Sequence, residues 1–187
     1  VLALRYDNAR EVCVALYRFE ERRPTVAQGA YVSDSARVIG DVIVEEGCYI
    51  GHGVILRGDY GSIRIGAGTA VEENAVVHIR PDGISLIGKR VTIGHGAVIH
   101  GNRIADSAVI GMGAVICFDV EIGEWCLVGE GCVVPNGERI PAGKVVMGIP
   151  ARIVGDVQPG HKEFWTYGKQ LYIDLAKRYP TALEKIG

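Results

Sequence analysis

The hydrophobic positions of this chain keep a six-residue beat. Aliphatic residues stand at Val32, Val38, Val44, Ile50 and Leu56, then at Ile65, Val71 and Val77, then at Ile87, Ile93 and Ile99. After a five-residue step the beat runs through Ile104, Ile110, Ile116, Ile122, Val128, Val134, Ile140 and Val146. Two places before most of these stands a small or branched residue, as at Ala36, Cys48, Val54, Ala75, Val91, Ala97, Ala108, Ala114, Cys126 and Cys132. Glycine often follows, as at Gly66, Gly88, Gly94, Gly111, Gly123 and Gly129. A period of six matches neither a helix, with its period of about 3.6, nor an uninterrupted strand, with a period of about 2. It matches short strands joined by corners. The aliphatic and the small residue two before it point inward, and glycine carries the backbone round the turn. Three hexads then close a triangular coil of about 18 residues, and stacked coils bury a core that no single coil could. The beat predicts an all-β solenoid of about six coils over residues 32–146. A jelly roll has no reason to hold such a register.

Three interruptions stand out. Leu56 to Ile65 is three residues too long and contains RGDYGSIR; Val77 to Ile87 is four too long and contains HIRPDGISL; Ile99 to Ile104 is one short, across HGNR. Insertions on a solenoid often carry function. Past MGIPARIVGDVQPG the beat stops. Residues 161–179, HKEFWTYGKQLYIDLAKRY, place Trp165, Tyr172, Leu175, Ala176 and Tyr179 at helical spacing, with Pro180 as the stop. The pattern predicts a β-helix domain over residues 1–155 and a helical segment over 156–187 packed on its outside. The first 24 residues are expected to form a strand or cap over the first coil.

Composition narrows the chemistry. The formal net charge is -2 over 187 residues, and no Lys/Arg block reads as a phosphate-tracking patch, which argues against a nucleic-acid partner. No apolar run reaches the roughly 18 residues of a membrane span. The opening VLALRYDNAREVCVALYRF lacks the order of a secretory signal. Val1 rather than Met stands first, so residues upstream are expected. The five cysteines, Cys13, Cys48, Cys117, Cys126 and Cys132, are odd in number and lack CxxC spacing. They argue against a disulfide framework or thiolate zinc site and for a reducing compartment such as the cytoplasm.

The beat also serves as a ruler. Every third hexad stacks on the same face, so Leu56, Val77, Ile99 and Ile116 share one. The residues that follow them form a column: Arg57, His78, His100, Cys117. Ile50, Val71, Ile93 and Ile110 share a neighbouring face, and two residues after each stand His52, Glu73, His95 and Met112. Stacked strands lie about 4.8 Å apart, so His78 and His100 can converge on one metal with bonds of about 2.1 Å. His95 lies on a different column and reaches that point only if a neighbouring subunit presents it. The spacing H-x16-H-x4-H therefore reads as a three-histidine site shared between subunits. A solvent-facing histidine on a solenoid is more often plain surface, and His52 is read so. Cys117 and Met112 are read as packing.

The segments ILRGDYGSIRIGAGT, ENAVVHI and VTIGHGAVIHG resemble the gamma-class carbonic anhydrases and their phenylacetate- and carnitine-operon relatives. GIPARIV and the terminal LYIDLAKRY extend the resemblance over about residues 25–179. The resemblance implies a left-handed parallel β-helix, an exception to the usual right-handed crossover, and a homotrimer with a site at each subunit interface. It implies that His78 and His100 of one subunit and His95 of the next hold Zn2+. Fe2+ or Co2+ could take the same ligands, because imidazole alone does not select among them. Three neutral imidazoles leave one position open for water, which zinc makes a nucleophile near neutral pH for attack on CO2 to give bicarbonate. Arg57 and Asp59 match the family's RGD arginine and aspartate, and the arginine is expected to lie near the metal and help hold the subunit interface through an acidic partner matching Glu73. Glu72, Glu73 and Tyr172 of the terminal helix complete the candidate catalytic set.

The same comparison exposes departures. Where the family reads TNIQDN or TNVQDG, this chain reads TAVEEN. Ala70 replaces the asparagine, Glu72 the glutamine that orients the nucleophile, and Glu73 the aspartate. Tyr60 stands where the archetypal enzyme has a glutamate after its RGD, and the acidic proton-shuttle loop is shortened to RPDGIS. A carboxylate at position 72 can accept a hydrogen bond as glutamine does, act as a base, or be protonated, according to its neighbours. Three other readings use the same coil: a thioesterase or other small-acyl hydrolase, an acyltransferase with a histidine base, and a non-catalytic trimer that keeps its metal.

Overall fold

The computed structural model describes residues 3–4, 12–13 and 15–186. Every aliphatic residue on the six-residue beat is buried, and so is every small or branched residue named two places before one. Each buried Val, Ile or Leu contributes about 1.5–3 kcal/mol relative to exposure, and together they form one continuous core from Ala30 to Ala151. Cys48, Cys126 and Cys132 fill inward positions of that core, and burial pushes the Cys48 thiol up to about 12.

The strands are mostly two residues long and pair in parallel, each coil on the next. Leu56, Val77, Ile99, Ile116 and Val134 align on one face. Ile50, Val71, Ile93, Ile110, Val128 and Val146 align on the second, and Ile65, Ile87, Ile104, Ile122 and Ile140 on the third. The molecule is a parallel β-solenoid of about 7 coils. One corner is turned by a column of left-handed residues, Gly53, Asn74, Gly96, Gly113 and Gly131, at φ of 70°, 61°, 67°, 65° and 63°. That column directly follows His52, Glu73, His95 and Met112, so each of those side chains sits at the coil's edge.

At the N-terminal end, where a strand or cap was expected, the described residues form strands. Ala15–Tyr17 and Thr25–Val26 both pair in parallel with Arg37–Val44, so they continue the solenoid below Val32 as part of a further coil. Residues 1–2, 5–11 and 14, which the cap was also expected to include, lie outside the described residues. At the other end Lys144–Gly148 pairs antiparallel with Ala151–Asp156, which closes the stack across the expected boundary at residues 155 and 156.

The helix, α1, runs Pro159–Ala182, with Pro180 inside it. Pro180 is therefore not the stop. Its fixed φ is helical, and in the last turn its missing N–H forfeits a single bond. The end is closed three residues later, where the Leu183 N–H donates to Tyr179 O at 3.1 Å. The helix lies on the second face, where Tyr31, Tyr49, Ala70 and Ala176 are buried together against Tyr172, Leu175 and Tyr179. Lys169 is buried in the same contact, donating to Thr92 Oγ1 at 3.1 Å and Ala108 O at 3.3 Å. Among the described residues, no helix is long and apolar enough to cross a membrane.

Candidate functional site

The two long interruptions of the beat stack on one another. Gly40 pairs with Gly58 and Asp41 with Ser62, so residues 59–61 loop out of the strand. The 79–83 excursion lies on this loop: the Asp82 N–H donates to Tyr60 O at 3.1 Å, and the Ser62 N–H to Gly83 O at 2.9 Å. Gly61 is required there, because a Cβ would lie 2.6 Å from Gly83 O. The result is a wall of irregular chain beside the column that carries the first two histidines.

His78 pairs in register with Arg57, and His100 follows one coil on. Their ring centroids are 5.1 Å apart at 77°, as the ruler required. The Arg57 Nη1 donates to Asp59 Oδ2 at 2.7 Å, and Asp59 Oδ1 lies 3.5 Å from His78 Nε2. Within the chain, then, Arg57 pairs with Asp59; the contact with Glu73 that the resemblance implies is one between subunits. The excursion swings Asp59 back over the same face, whereas Glu73 lies round the corner. Burial raises the Asp59 carboxyl, but Arg57 outweighs it and holds the group below its ordinary range. Burial, with Arg57 adding to it, lowers both His78 and His100, so both rings are neutral near pH 7.

His78 Nε2 and His100 Nδ1 are buried and have no hydrogen-bond partner. Bare nitrogens on neutral imidazoles are the donors a divalent transition metal takes, so this pair fits the metal the sequence implies. Among the described residues of one chain, no group of three His, Cys, Asp or Glu side chains converges to hold a metal ion. One chain supplies two such nitrogens, on rings stacked one coil apart.

Side chains that the sequence did not single out stand beside His100. Phe118 packs edge-on against His100, with centroids 4.6 Å apart at 79°. Beside it Arg80 forms a two-point pair with Asp119, at 2.8 Å and 2.6 Å, and Asn102 Nδ2 donates to Asp119 Oδ1 at 3.1 Å. The shortened loop, the HGNR step and the turn after Cys117 are thus tied together. The legible signal was position: Phe118 directly follows the Arg57–His78–His100–Cys117 column.

His95 sits round the corner, apart from that pair and between two carboxylates. Its Nδ1 is 2.9 Å from Glu73 Oε2 and its Nε2 is 3.1 Å from Glu72 Oε2. Burial raises the Glu72 carboxyl, although His95 and a hydrogen bond from Tyr172 pull the other way. For Glu73 the balance reverses: burial raises it, but the hydrogen bond from Tyr49 and the charge of His95 bring it below its ordinary value. Tyr49 donates to Glu73 Oε1 at 2.7 Å. Burial and these glutamates raise the Tyr49 and Tyr172 phenols above the ordinary tyrosine range. The sequence offered Tyr172 as a catalytic candidate without a partner; α1 brings it beside Glu72. Tyr49 was missed, although Tyr31 and Tyr49 recur just before Val32 and Ile50 in one column.

Two further positions gain a physical account. Ala70 lies under α1 among Tyr31, Tyr49 and Ala176, where an asparagine would bury an amide in apolar surroundings. His52, expected as plain surface, is half-buried. Its Nδ1 is 2.6 Å from Ser33 Oγ and 3.1 Å from Ser35 Oγ, which ties it to the coil below.

No family model matches the chain. Curated relatives do. The Escherichia coli K12 carnitine operon protein CaiE is 36% identical over 172 residues, covering 92% of this chain and 88% of CaiE. The mitochondrial gamma carbonic anhydrase 2 of Arabidopsis thaliana is 37% identical over 163 residues, 84% of this chain; the match spans 59% of the plant protein's length. Among solved structures, a Bacillus cereus protein assigned as an acetyltransferase superposes with a TM-score of 0.88 at 27% identity, covering 91% of this chain and 99% of that one. A hexapeptide transferase family protein from Anaplasma phagocytophilum gives 0.84 at 30% identity, covering 88% and 98%. With an interrupted hexapeptide solenoid, a buried histidine pair and relatives that match along nearly its whole length, the chain belongs to the gamma carbonic anhydrase-like family that includes CaiE.

Proposed function

We propose that this protein is a zinc-dependent, carbonic anhydrase-like enzyme that hydrates CO2 at sites shared between the subunits of a homotrimer. One observation carries the reading: His78 Nε2 and His100 Nδ1 are buried, unpartnered and on adjacent coils. They are two donors of a three-donor set, and His95 of a neighbouring subunit is the third. Bound there, zinc would lower the pKa of a coordinated water into the neutral range and so supply the nucleophile.

The chain's own residues do the remaining work. Arg57 and Asp59 steady the His78 ring from one side. Phe118 and the Arg80–Asp119 pair keep bulk water from the outer side of His100. Glu72, held by Tyr172, stands within hydrogen-bond distance of His95 Nε2 and takes the place of the family's glutamine. It serves as the local base for the proton released on hydration. The reading is tested by stopped-flow CO2 hydration on protein of measured zinc and iron content. Rates well above buffer that scale with metal content support it. A fully metallated trimer no faster than buffer refutes it.

A second reading is acyl transfer or thioester hydrolysis in the same cleft. It is favoured by the B. cereus protein of the same fold that is assigned as an acetyltransferase. Steady turnover of acetyl-coenzyme A without CO2 hydration would establish it over the first.

A further inference from the structure

We propose that Tyr49, a residue of the solenoid core's outer face, acts through Glu73 to fix the proton of His95 on Nδ1. Tyr49 is a positioning residue, and the consequence for metal binding rests on the shared three-histidine reading above. The geometry runs in one direction. The Tyr49 ring is 1% exposed and is held by Tyr31, Tyr172 and Tyr179, at centroid distances of 5.4, 5.2 and 5.6 Å. It has no room to swing. Its hydroxyl donates to Glu73 Oε1 at 2.7 Å. The other carboxylate oxygen, Oε2, lies 2.9 Å from His95 Nδ1.

An ionised carboxylate can only accept, so Nδ1 must be the donor in that second contact. A histidine whose Nδ1 proton is committed offers Nε2 to whatever stands on its other side. Glu72 Oε2, at 3.1 Å, marks that side. Glu73 alone would not enforce this. Its side chain is 29% exposed and has several rotatable bonds, so in water it would sample other positions. The phenol pins one oxygen and thereby aims the other. The helix enters as well, because Tyr172 and Tyr179 of α1 pack the Tyr49 ring in place.

This arrangement makes ligand geometry depend on the aromatic contact under α1. It also gives Glu73 a role within its own chain, beside the interface contact with arginine that the resemblance implies. A second contact of this kind typically changes metal affinity by about 10–100-fold.

The test uses histidine-selective 15N labelling of the full chain, read as wild type, Tyr49→Phe and Glu73→Gln, with zinc affinity measured by chelator competition on the same samples. The expected result is a His95 Nδ1–H that is hydrogen-bonded and slow to exchange in the metal-free wild type. It should exchange markedly faster in Tyr49→Phe and be lost or strongly shifted in Glu73→Gln. Zinc affinity should fall about tenfold in the first variant and up to about 100-fold in the second. A purely structural role for Tyr49 would lower the melting temperature and leave the Nδ1–H signal as in wild type. The proposal is overturned if wild-type His95 carries its proton on Nε2 alone, or if Tyr49→Phe has wild-type exchange and wild-type zinc affinity. Should the wild type show the Tyr49-dependent Nδ1–H yet bind no zinc, the positioning stands and the three-histidine reading falls.

Discussion

His95 is flanked by two glycines that serve different ends. Gly96 sits at φ +67° with nothing within 4 Å of an added Cβ, whereas a Cβ on Gly94 would lie 2.8 Å from the backbone nitrogen of Met112 on the next coil. Gly96→Ala should therefore cost about 1–2 kcal/mol, from left-handed backbone strain alone. Gly94→Ala should cost more, about 2–3 kcal/mol, because neighbouring coils must part. Urea unfolding of the metal-free protein checks the order, and equal costs would mean that the coil spacing yields more easily than the structure indicates. Glu72 is the second residue whose chemistry is set by its surroundings. Burial keeps its carboxyl raised against the pull of His95 and Tyr172, the direction that makes a carboxylate a better proton acceptor. Glu72→Ala should lower kcat for CO2 by about 100-fold at unchanged zinc content. Full activity in that variant would remove Glu72 from the mechanism.

At the scale of elements, α1 does more than cover a face. It carries Tyr172 to Glu72, braces Tyr49, and buries Lys169 against Thr92 and Ala108. Burial, with Arg90 adding to it and Glu72 opposing, lowers the Lys169 amine from 10.5 to about 7; the Trp165 ring lies 5.7 Å away. Between pH 7 and about 10 the unfolded chain holds a proton that the folded chain has lost, so this group makes stability rise with pH across that window. Lys169→Met should flatten that rise and raise the melting temperature most at pH 7 and below, as followed by thermal unfolding from pH 6 to 10. Parallel wild-type and variant curves would show that the amine stays charged in the fold. Lys169 also marks a limit of sequence reading. The helical stripe from Trp165 to Tyr179 was visible because it is apolar, whereas a lysine on that stripe reads as solvent-facing until the carbonyl and hydroxyl that receive it are known. The solenoid posed no such difficulty, because its six-residue beat is a direct image of the coil. The same beat located His78 and His100 on adjacent coils and separated His95 from them. It could not show Arg57 turning to Asp59 or Tyr49 reaching Glu73, since those contacts depend on where an excursion folds back and where a helix docks.

At the scale of the whole molecule, the separation of His95 from the other two histidines becomes a statement about assembly. One chain holds His78 and His100 on one face, their ring centroids 5.1 Å apart, and holds His95 round a corner between Glu72 and Glu73. If one trimer interface joins the first face of one subunit to the second face of the next, every site draws on two chains. His95→Ala should then abolish tight zinc binding although two ligands per chain survive. His78→Ala should do the same from the other side of the interface. Co-expression of the two variants separates this arrangement from any site closed within a chain. In a mixed ring, one junction sets an intact His78–His100 face against an intact His95, while the others each lack a ligand. Mixed trimers, isolated by differential tags, should therefore regain roughly one zinc site in three, with CO2 hydration restored in proportion, whereas each variant alone regains none. A site built within one chain would show no recovery in the mixture, because neither variant carries a complete set of ligands.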